Sequence, residues 1–339
     1  MSADDRCGGA EGGAPRSAAP GRALPSGGAG HSPSPAAPVP AAIGIDIGGT
    51  TVKGALVGQD GSVLGTADPR ATPVDDVPGL VGAVVGLVRR LDAGRGVPVG
   101  VCVPGIVDEA LGVGVLSANL GWRGAPLRRL LSAALGSPVA LGHDVRCGAL
   151  AESLWGVGEA DMLYVAIGTG IASALVIGSR PCPAPAWAGE IGQIVVEDPD
   201  HPGRRAPLEQ IASASAIARR AAEAGMIGPG AGAREAAERA RAPGGGPAAM
   251  VFASAMGLLG AQLGIVRHQV GDVPLVIGGG LSEGGPLVYD NLARGAASVT
   301  GRMPPPRIVP AALGPASQAL GAAALALRSA QGPSAPAHQ

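Results

Sequence analysis

Residues 43–57 read Ile43-Gly-Ile-Asp-Ile-Gly-Gly-Thr-Thr-Val-Lys-Gly-Ala-Leu-Val57. An apolar strand reaches Asp46, the chain turns on Gly48, Gly49 and Thr50, and a second strand leaves through Thr51. Such a hairpin suits a phosphate: the carboxylate at the strand tip can orient Mg²⁺ or its water, and the glycines let backbone N–H groups approach phosphate oxygens without an intervening Cβ. The Thr50 and Thr51 hydroxyls add donors. A plain tight turn capped by Asp and Thr has the same local sequence, so the remainder of the chain must decide between the two.

Outward from this stretch, Asp60-Gly61 is a turn signal between apolar runs, which makes residues 43–65 a three-stranded antiparallel meander. Leu80, Val84, Leu87, Val88 and Leu91 then recur at helical spacing behind Asp75 and Asp76. A buried strand is expected at 97–103, a helix around Leu127, Leu131 and Leu135, a strand at 139–141 and a helix at 147–155. At Met162 the opening pattern returns: strand, the turn Gly168-Thr169-Gly170, strand, and a further turn at Gly178-Ser179. Helices are expected at 207–224 and 248–270, a strand at 275–277, a helix near 287–299, a strand near Ile308 and a closing helix at 318–328. Two copies of one strand–turn–strand–strand unit, each followed by alternating helices and strands, imply two similar α/β domains with a phosphate hairpin from each. The expected division is a disordered segment 1–40 rich in Gly, Pro, Ser and Ala, domains at 41–145 and 146–330 with helix 318–328 placed to pack back on the first, and a disordered tail 331–339.

Composition narrows the function. Of 339 residues, 25 are basic and 26 acidic, a formal net charge of −1, with no polybasic block and only six aromatic residues of Phe, Trp and Tyr type (1, 3 and 2). This excludes a nucleic-acid surface built on charge and base stacking. Apolar runs such as 273–277 are short and broken by glycine, so no membrane span is expected, and the start of the chain has no signal-like apolar segment; a cytoplasmic protein is expected. Cys7, Cys102, Cys147 and Cys182, like the five histidines, lie far apart with no ligand spacing.

Six segments in order carry a resemblance to the ROK family of sugar kinases and sugar-responsive repressors, most closely its bacterial glucokinases. They are Asp46-Ile-Gly-Gly-Thr-Thr-Val-Lys53, Val103-Pro-Gly-Ile-Val-Asp108, Ala118-Asn-Leu-Gly-Trp-Arg123, Ile167-Gly-Thr-Gly170, Gly189-Glu-Ile-Gly192 followed by Leu208-Glu-Gln-Ile-Ala-Ser213, and Gly278-Gly-Gly280. The resemblance implies an actin-like, hexokinase-type fold of two similar α/β domains, ATP with Mg²⁺, a small-molecule sugar or cyclitol substrate, and a homodimer or homotetramer. It implies that Asp144 is the catalytic base, and that Asn119, His143, Glu190, Gln193 and Glu209 stand at the sugar. ATP would then be held by Asp46, Gly48, Gly49, Thr50, Thr51, Gly168, Thr169, Gly170, Gly279 and Gly280, with Asp46 on Mg²⁺ through water. The residues themselves suit these roles. Asp144 follows a strand at the carboxyl end of a sheet, where α/β proteins place ligands, and there it is equally suited to cap a helix. Carboxylates such as Glu190 and Glu209 accept from two hydroxyls each, although either alone reads as a solvated surface charge. Asn119 is also a good turn residue, and Gly278 to Gly280 is also a plain strand–helix turn.

Three departures from the family pattern bear on the substrate. The family's Glu-Asn-Asp is here Gly142-His143-Asp144; a neutral imidazole, with one donor and one acceptor, does not repeat an amide's contacts. The family's Glu-x-x-His is Glu190-Ile-Gly-Gln193, and the cysteine run expected before Glu209 is replaced by Pro202-Gly-Arg-Arg-Ala-Pro207. All zinc ligands are gone together, so no zinc is expected and the loop is expected to be held by packing and its prolines. Lastly, Ala172 and Ser173 stand where the family usually has glycines, at a cost that depends on the backbone there. The expected activity is ATP-dependent phosphorylation of a hydroxyl of a hexose or hexose-like compound. The alternatives are a C7-cyclitol or amino-sugar kinase, and a non-catalytic sugar-sensing regulator. That last reading needs a winged helix-turn-helix ahead of the kinase-like part, and residues 1–40 are too short and too rich in Gly and Pro to form one.

Overall fold

A computed structural model describes residues 39–331. β1 (Pro40–Ile47), β2 (Thr51–Gly58) and β3 (Val63–Ala71) form the expected meander, and helix α1 (Val77–Asp92) brings the chain back to β4 (Val99–Val103). Asp76 caps α1 by accepting from Gly79 N at 2.8 Å, and Leu80, Val84, Leu87, Val88 and Leu91 are its buried face. A small antiparallel sheet follows, of β5 (Ile106–Asp108), β6 (Val113–Ser117) and β7 (Trp122–Ala125). Then come α2 (Leu127–Leu135), β8 (Val139–His143) and α3 (Asp144–Trp155). The first large sheet has the order β3-β2-β1-β4-β8, with β1, β4 and β8 parallel.

The second half repeats it with β9 (Met162–Ile167), β10 (Ile171–Ile177), β11 (Arg180–Pro181), the short hairpin β12 (Val195–Glu197) and β13 (Arg205–Pro207), and helices α4 (Glu209–Ala212), α5 (Ala214–Glu223), α6 (Ala233–Arg241) and α7 (Gly246–Val270). β14 (Leu275–Gly278), α8 (Pro286–Ala297), β15 (Ile308–Pro310) and α9 (Ser317–Ala330) complete it, and the sheet order β11-β10-β9-β14-β15 is that of the first sheet. This doubled order is the actin-like arrangement. Helix α9 lies on the first sheet, and it can do so because β1 and β4 carry glycines there: a Cβ on Gly44 would stand 1.8 Å from the Ala319 carbonyl oxygen, and one on Gly100 1.8 Å from that of Ala322.

Several expectations need correction. The helix expected at 207–224 is two helices, because Ser213 leaves helical conformation and its hydroxyl accepts from Ala216 N at 3.1 Å, capping α5. Helix α6 went unseen in the sequence because its buried side is only Ala236 and Ala237, too weak an apolar signal. The sheet of β5, β6 and β7 has strands of three to five residues, below the length at which alternation is legible. Pro40 already belongs to β1, while the expectation for residues 1–38, and that for the tail beyond Gln331, lie outside the described residues. The expectation that no apolar stretch is long enough to cross a membrane missed α7, whose 25 residues pass by length and composition. Its Phe252, Met256, Leu259 and Leu263 are completely buried against the second sheet and α8, so one face of the helix belongs to the core.

Candidate active site

Each hairpin is built by a different device. In the first, Gly48 N donates to Thr51 O at 2.9 Å and the Thr72 hydroxyl donates to Gly48 O at 2.8 Å, so the end of β3 pins the turn. Neither Gly48 nor Gly49 has positive φ; what glycine provides here is access. Gly49 faces open space, and Gly49 and Thr50 are exposed. In the second, Gly168 N donates to Gly170 O at 3.0 Å, and Gly168 O accepts from Ala214 N at 2.8 Å, at the start of α5. Thr169 is exposed at its tip. Behind it, Gly279 has φ +79° and a Cβ there would stand 2.5 Å from the Ile167 carbonyl oxygen, so this turn tolerates only glycine, with Gly280 in open space beside it. Ala172 and Ser173 lie within β10, paired with Ala166 and Val165 at ordinary backbone angles. Their Cβ atoms therefore impose no backbone strain. The Ser173 hydroxyl donates to Gly189 O at 3.3 Å.

The carboxylates are gathered by parallel register. Asp46 of β1 pairs with Cys102 of β4, Cys102 with Gly142 of β8, and Asp144 follows at the first position of α3. Burial raises Asp144 to about 6, with 28% of its side chain still open. Burial, then the charge of Asp144, raises Asp46 to about 6 against the opposing influence of Lys53 and of the Cys102 thiol, which donates to it at 3.6 Å. Glu190 goes up to about 7 through burial and the neighbouring Asp144 and Glu209. Between them sits His143, 4% exposed, its Nε2 3.3 Å from Asp144 and 3.7 Å from Glu190. Burial and the Arg146 guanidinium press it down to about 4, so the imidazole is neutral at neutral pH. Its Nδ1 is buried without a hydrogen-bond partner. Gln193 Nε2 donates to Glu209 Oε1 at 2.7 Å, and Glu209 in turn stands under Gly170, where a Cβ would lie 3.0 Å from Oε2.

Asp46, His143, Asp144, Glu190, Gln193, Glu209 and the second hairpin are thus one continuous group. Asn119 lies on an exposed turn between β6 and β7 and shares no hydrogen bond with this group. Two residues escaped the sequence reading. Glu109 Oε1 accepts from His143 N at 2.6 Å and from Arg146 Nε at 2.9 Å, while Arg146 also donates to Ala188 O at 3.4 Å and Val107 O at 3.3 Å. A lone arginine in the apolar α3 stretch Val145-Arg-Cys-Gly-Ala-Leu150 was the available signal, since a buried guanidinium demands a partner.

The loop expected to rest on packing and prolines is instead tied by charge. Arg220, 4% exposed in α5, grips Asp200 with two bonds of 2.6 and 2.9 Å and also donates to Ile211 O and Ser254 Oγ. Asp198 accepts from Asp200 N and lies 3.0 Å from His201 Nδ1. No group of three or more His, Cys, Asp or Glu side chains placed to hold a metal ion occurs among the described residues.

A pH profile follows. Were Asp144 to serve as a base and Glu190 as a hydroxyl acceptor, each would be competent only when ionised, above about 6 and about 7 respectively. So log kcat/KM should climb from about pH 5 and level off above about pH 8, with a limb steeper than one proton. His143, neutral throughout, contributes no descending limb. A profile flat between those values would detach both carboxylates from the chemistry.

The sequence matches the ROK family over residues 42–329. A kanosamine kinase of Amycolatopsis mediterranei is 33% identical over 297 residues, covering 84% of this chain and 95% of that protein. A glucokinase of Halalkalibacterium halodurans is 31% identical over 199 residues, 53% of this chain and 59% of that one. The crystal structure of a ROK family glucokinase from Streptomyces griseus in complex with glucose and AMPPNP superposes with a TM-score of 0.72 at 27% identity, covering 85% of this chain and 99% of the other. With the doubled sheet order and the carboxylate group between its halves, a match over nearly the whole described chain means that this protein belongs to the ROK family.

Proposed function

We infer that the protein is an ATP-dependent sugar kinase that transfers the γ-phosphoryl group to a hydroxyl of a hexose or hexose-like substrate in the cytoplasm. The observation that carries the reading is Asp144, a carboxylate raised to about 6 by burial and 3.3 Å from a neutral imidazole at the end of β8. Phosphoryl transfer asks the protein mainly for positioning and charge stabilisation. Asp144 accepts the proton of the attacking hydroxyl; Glu190 and Glu209 accept from other hydroxyls; the open turns at Gly48 to Thr51 and Gly168 to Gly170 receive phosphates, and Gly279 and Gly280 border the adenosine. The charge of Asp144 makes ionisation of Asp46 costlier, which a divalent cation would relieve, and Mg²⁺ held through Asp46 would supply charge neutralisation on the phosphates. The loop at 198–207 is read as zinc-free, and the assembly as a homodimer or homotetramer.

For the substrate, an amino sugar is favoured over glucose. Asp144, Glu190 and Glu209 converge, the Gln193 amide is already committed to Glu209, and the cation nearest them, Arg146, is bound to Glu109. An ammonium group on the sugar would complete that balance, and the likeness to a kanosamine kinase runs the same way. In an ATP-consumption screen over hexoses, amino sugars and cyclitols, an amino hexose should exceed glucose in kcat/KM by at least ~10-fold, the scale of one or two mismatched buried polar contacts. Equal turnover of glucose would remove the amino-sugar preference, and turnover of no compound would remove the kinase.

A further inference from the structure

Arg146 is 6% exposed, and its guanidinium is shared among three segments of the chain. Nε donates to Glu109 Oε1 at 2.9 Å, Nη2 to Val107 O of β5 at 3.3 Å, and Nη1 to Ala188 O at 3.4 Å. Glu109 Oε1 also accepts from His143 N at 2.6 Å, one residue before Asp144. One side chain therefore links the end of β8, which leads into Asp144, to the loop that leads into Glu190. The next carbonyl of that loop is held from the other side: Gly189 O accepts from Ser173 N of β10 at 2.8 Å. Two successive carbonyls are thus tied to different halves of the fold, and the tie to the first half is Arg146. Placing a guanidinium in so dry a position is costly, and its planar fork of five donors is suited to hold several acceptors in fixed directions.

Charge acts in the same sense. Around Glu190 stand Asp144 at the start of α3, the neutral His143 of β8 at 3.7 Å, and Glu209 of α4, whose Oε1 accepts from Gln193, with the Arg146–Glu109 pair behind them. Burial, then Asp144 and Glu209, push the Glu190 carboxyl up to about 7, and Arg146 opposes them. We propose that Arg146 is a positioning residue of the phosphoryl-transfer site, which fixes the separation of Asp144 from Glu190 and balances the acidic pocket from behind without touching substrate. Misplacement of either carboxylate by about an ångström is enough to cost as much as ~10²-fold in rate.

The clamp stands on the bonds alone; its effect on turnover rests on the sugar-kinase reading. Arg146→Gln removes the charge and most of the fork, whereas Arg146→Lys keeps the charge and loses the fork. The double variant Arg146→Gln, Glu109→Gln serves if the single variant melts early, because it leaves no stranded carboxylate and its amide oxygen can still accept from His143 N. Amide hydrogen exchange in the loop 187–193, which needs no substrate, should be at least ~10-fold faster in Arg146→Gln than in wild type, with that of α7 unchanged. On the best sugar at about pH 8, Arg146→Gln should lose at least ~10-fold in kcat/KM for the sugar while the KM for ATP moves less than ~2-fold. The midpoint of its ascending pH limb should move up by at least ~0.5 unit, since an opposite charge near Glu190 is gone. Arg146→Lys should restore the midpoint without restoring the full kcat/KM. Unchanged exchange in the loop overturns the clamp, and turnover equal to wild type overturns the positioning role. A fall in kcat/KM with the midpoint unmoved, or with the KM for ATP rising in parallel, overturns the charge balance and makes Arg146 a merely structural residue. A loop that loosens in a protein that phosphorylates no sugar retains the clamp and loses the kinase.

Discussion

Replacing Asp144 with Asn should lower kcat by at least ~10²-fold on the best sugar, the usual contribution of a positioned general base, while ATP binding and the fold persist. The exchange is nearly isosteric, and the amide oxygen can keep the 2.7 Å bond that Asp144 Oδ1 accepts from Val145 N. Stability offers a second readout with a definite sign. The folded-state carboxyl is raised from 3.8 to about 6, so its ionisation costs folding free energy as pH rises through that interval and the cost is complete above about 6. The Asn variant has no such cost and should melt higher than wild type at pH 7 to 8. Near-normal turnover would take Asp144 out of the mechanism. A lower melting temperature would mean that the exchange disturbs the packing at the start of α3, and the kinetic result would then need Asp144→Glu beside it.

The second large effect should come from the loop at 198–204. Asp200→Asn removes the countercharge of a guanidinium that is almost wholly buried in α5, and breaking one side of a buried pair typically costs about 3–5 kcal/mol. Asp200 is itself 41% exposed, so solvent already supplies part of what it gives, and about 2–4 kcal/mol is expected as a fall in the urea midpoint at unchanged slope. The bonds from Arg220 hold the Asp200 carboxyl below the usual range. A depressed carboxyl contributes stability that is present above its unfolded pKa and lost as pH falls through the folded one, so the difference between variant and wild type should shrink under acid. In the same experiment a chelator should leave the wild-type melting temperature unchanged with Mg²⁺ in excess. A chelator-sensitive melt, or an Asp200→Asn variant as stable as wild type, would show that something other than this ion pair holds the loop.

Local signals made the framework legible. The apolar run into Asp46, the two-residue turns at Asp60-Gly61 and Gly178-Ser179, and the 3.6-residue spacing from Leu80 to Leu91 are properties of neighbours in sequence, and they appear in the structure as β1, the two meanders and α1. The return of the same unit at Met162 gave the doubled architecture. Where the local signal was weak, at the alanine face of α6 and the short strands β5 to β7, the elements were invisible. Where a polar residue has two options, as Ser213 does between helix interior and cap, local sequence does not choose between them, and packing makes it the cap of α5.

At the candidate site the division is similar. Read without coordinates, the chain already places carboxylates at strand ends, exposes backbone donors at glycine turns and lacks the ligand pattern of a zinc loop. Each of these depends on residue type and short spacing. Packing adds that His143 is neutral, that Glu109 and Arg146 bind the end of β8 to the loop before Glu190, that Ala172 and Ser173 lie harmlessly in a strand, and that Arg220 grips Asp200 from α5. Protonation, desolvation and ion pairing depend on which groups approach within a few ångströms and how little water remains between them, and residues such as Glu109 and His143, 34 positions apart, meet only once the sheets have packed.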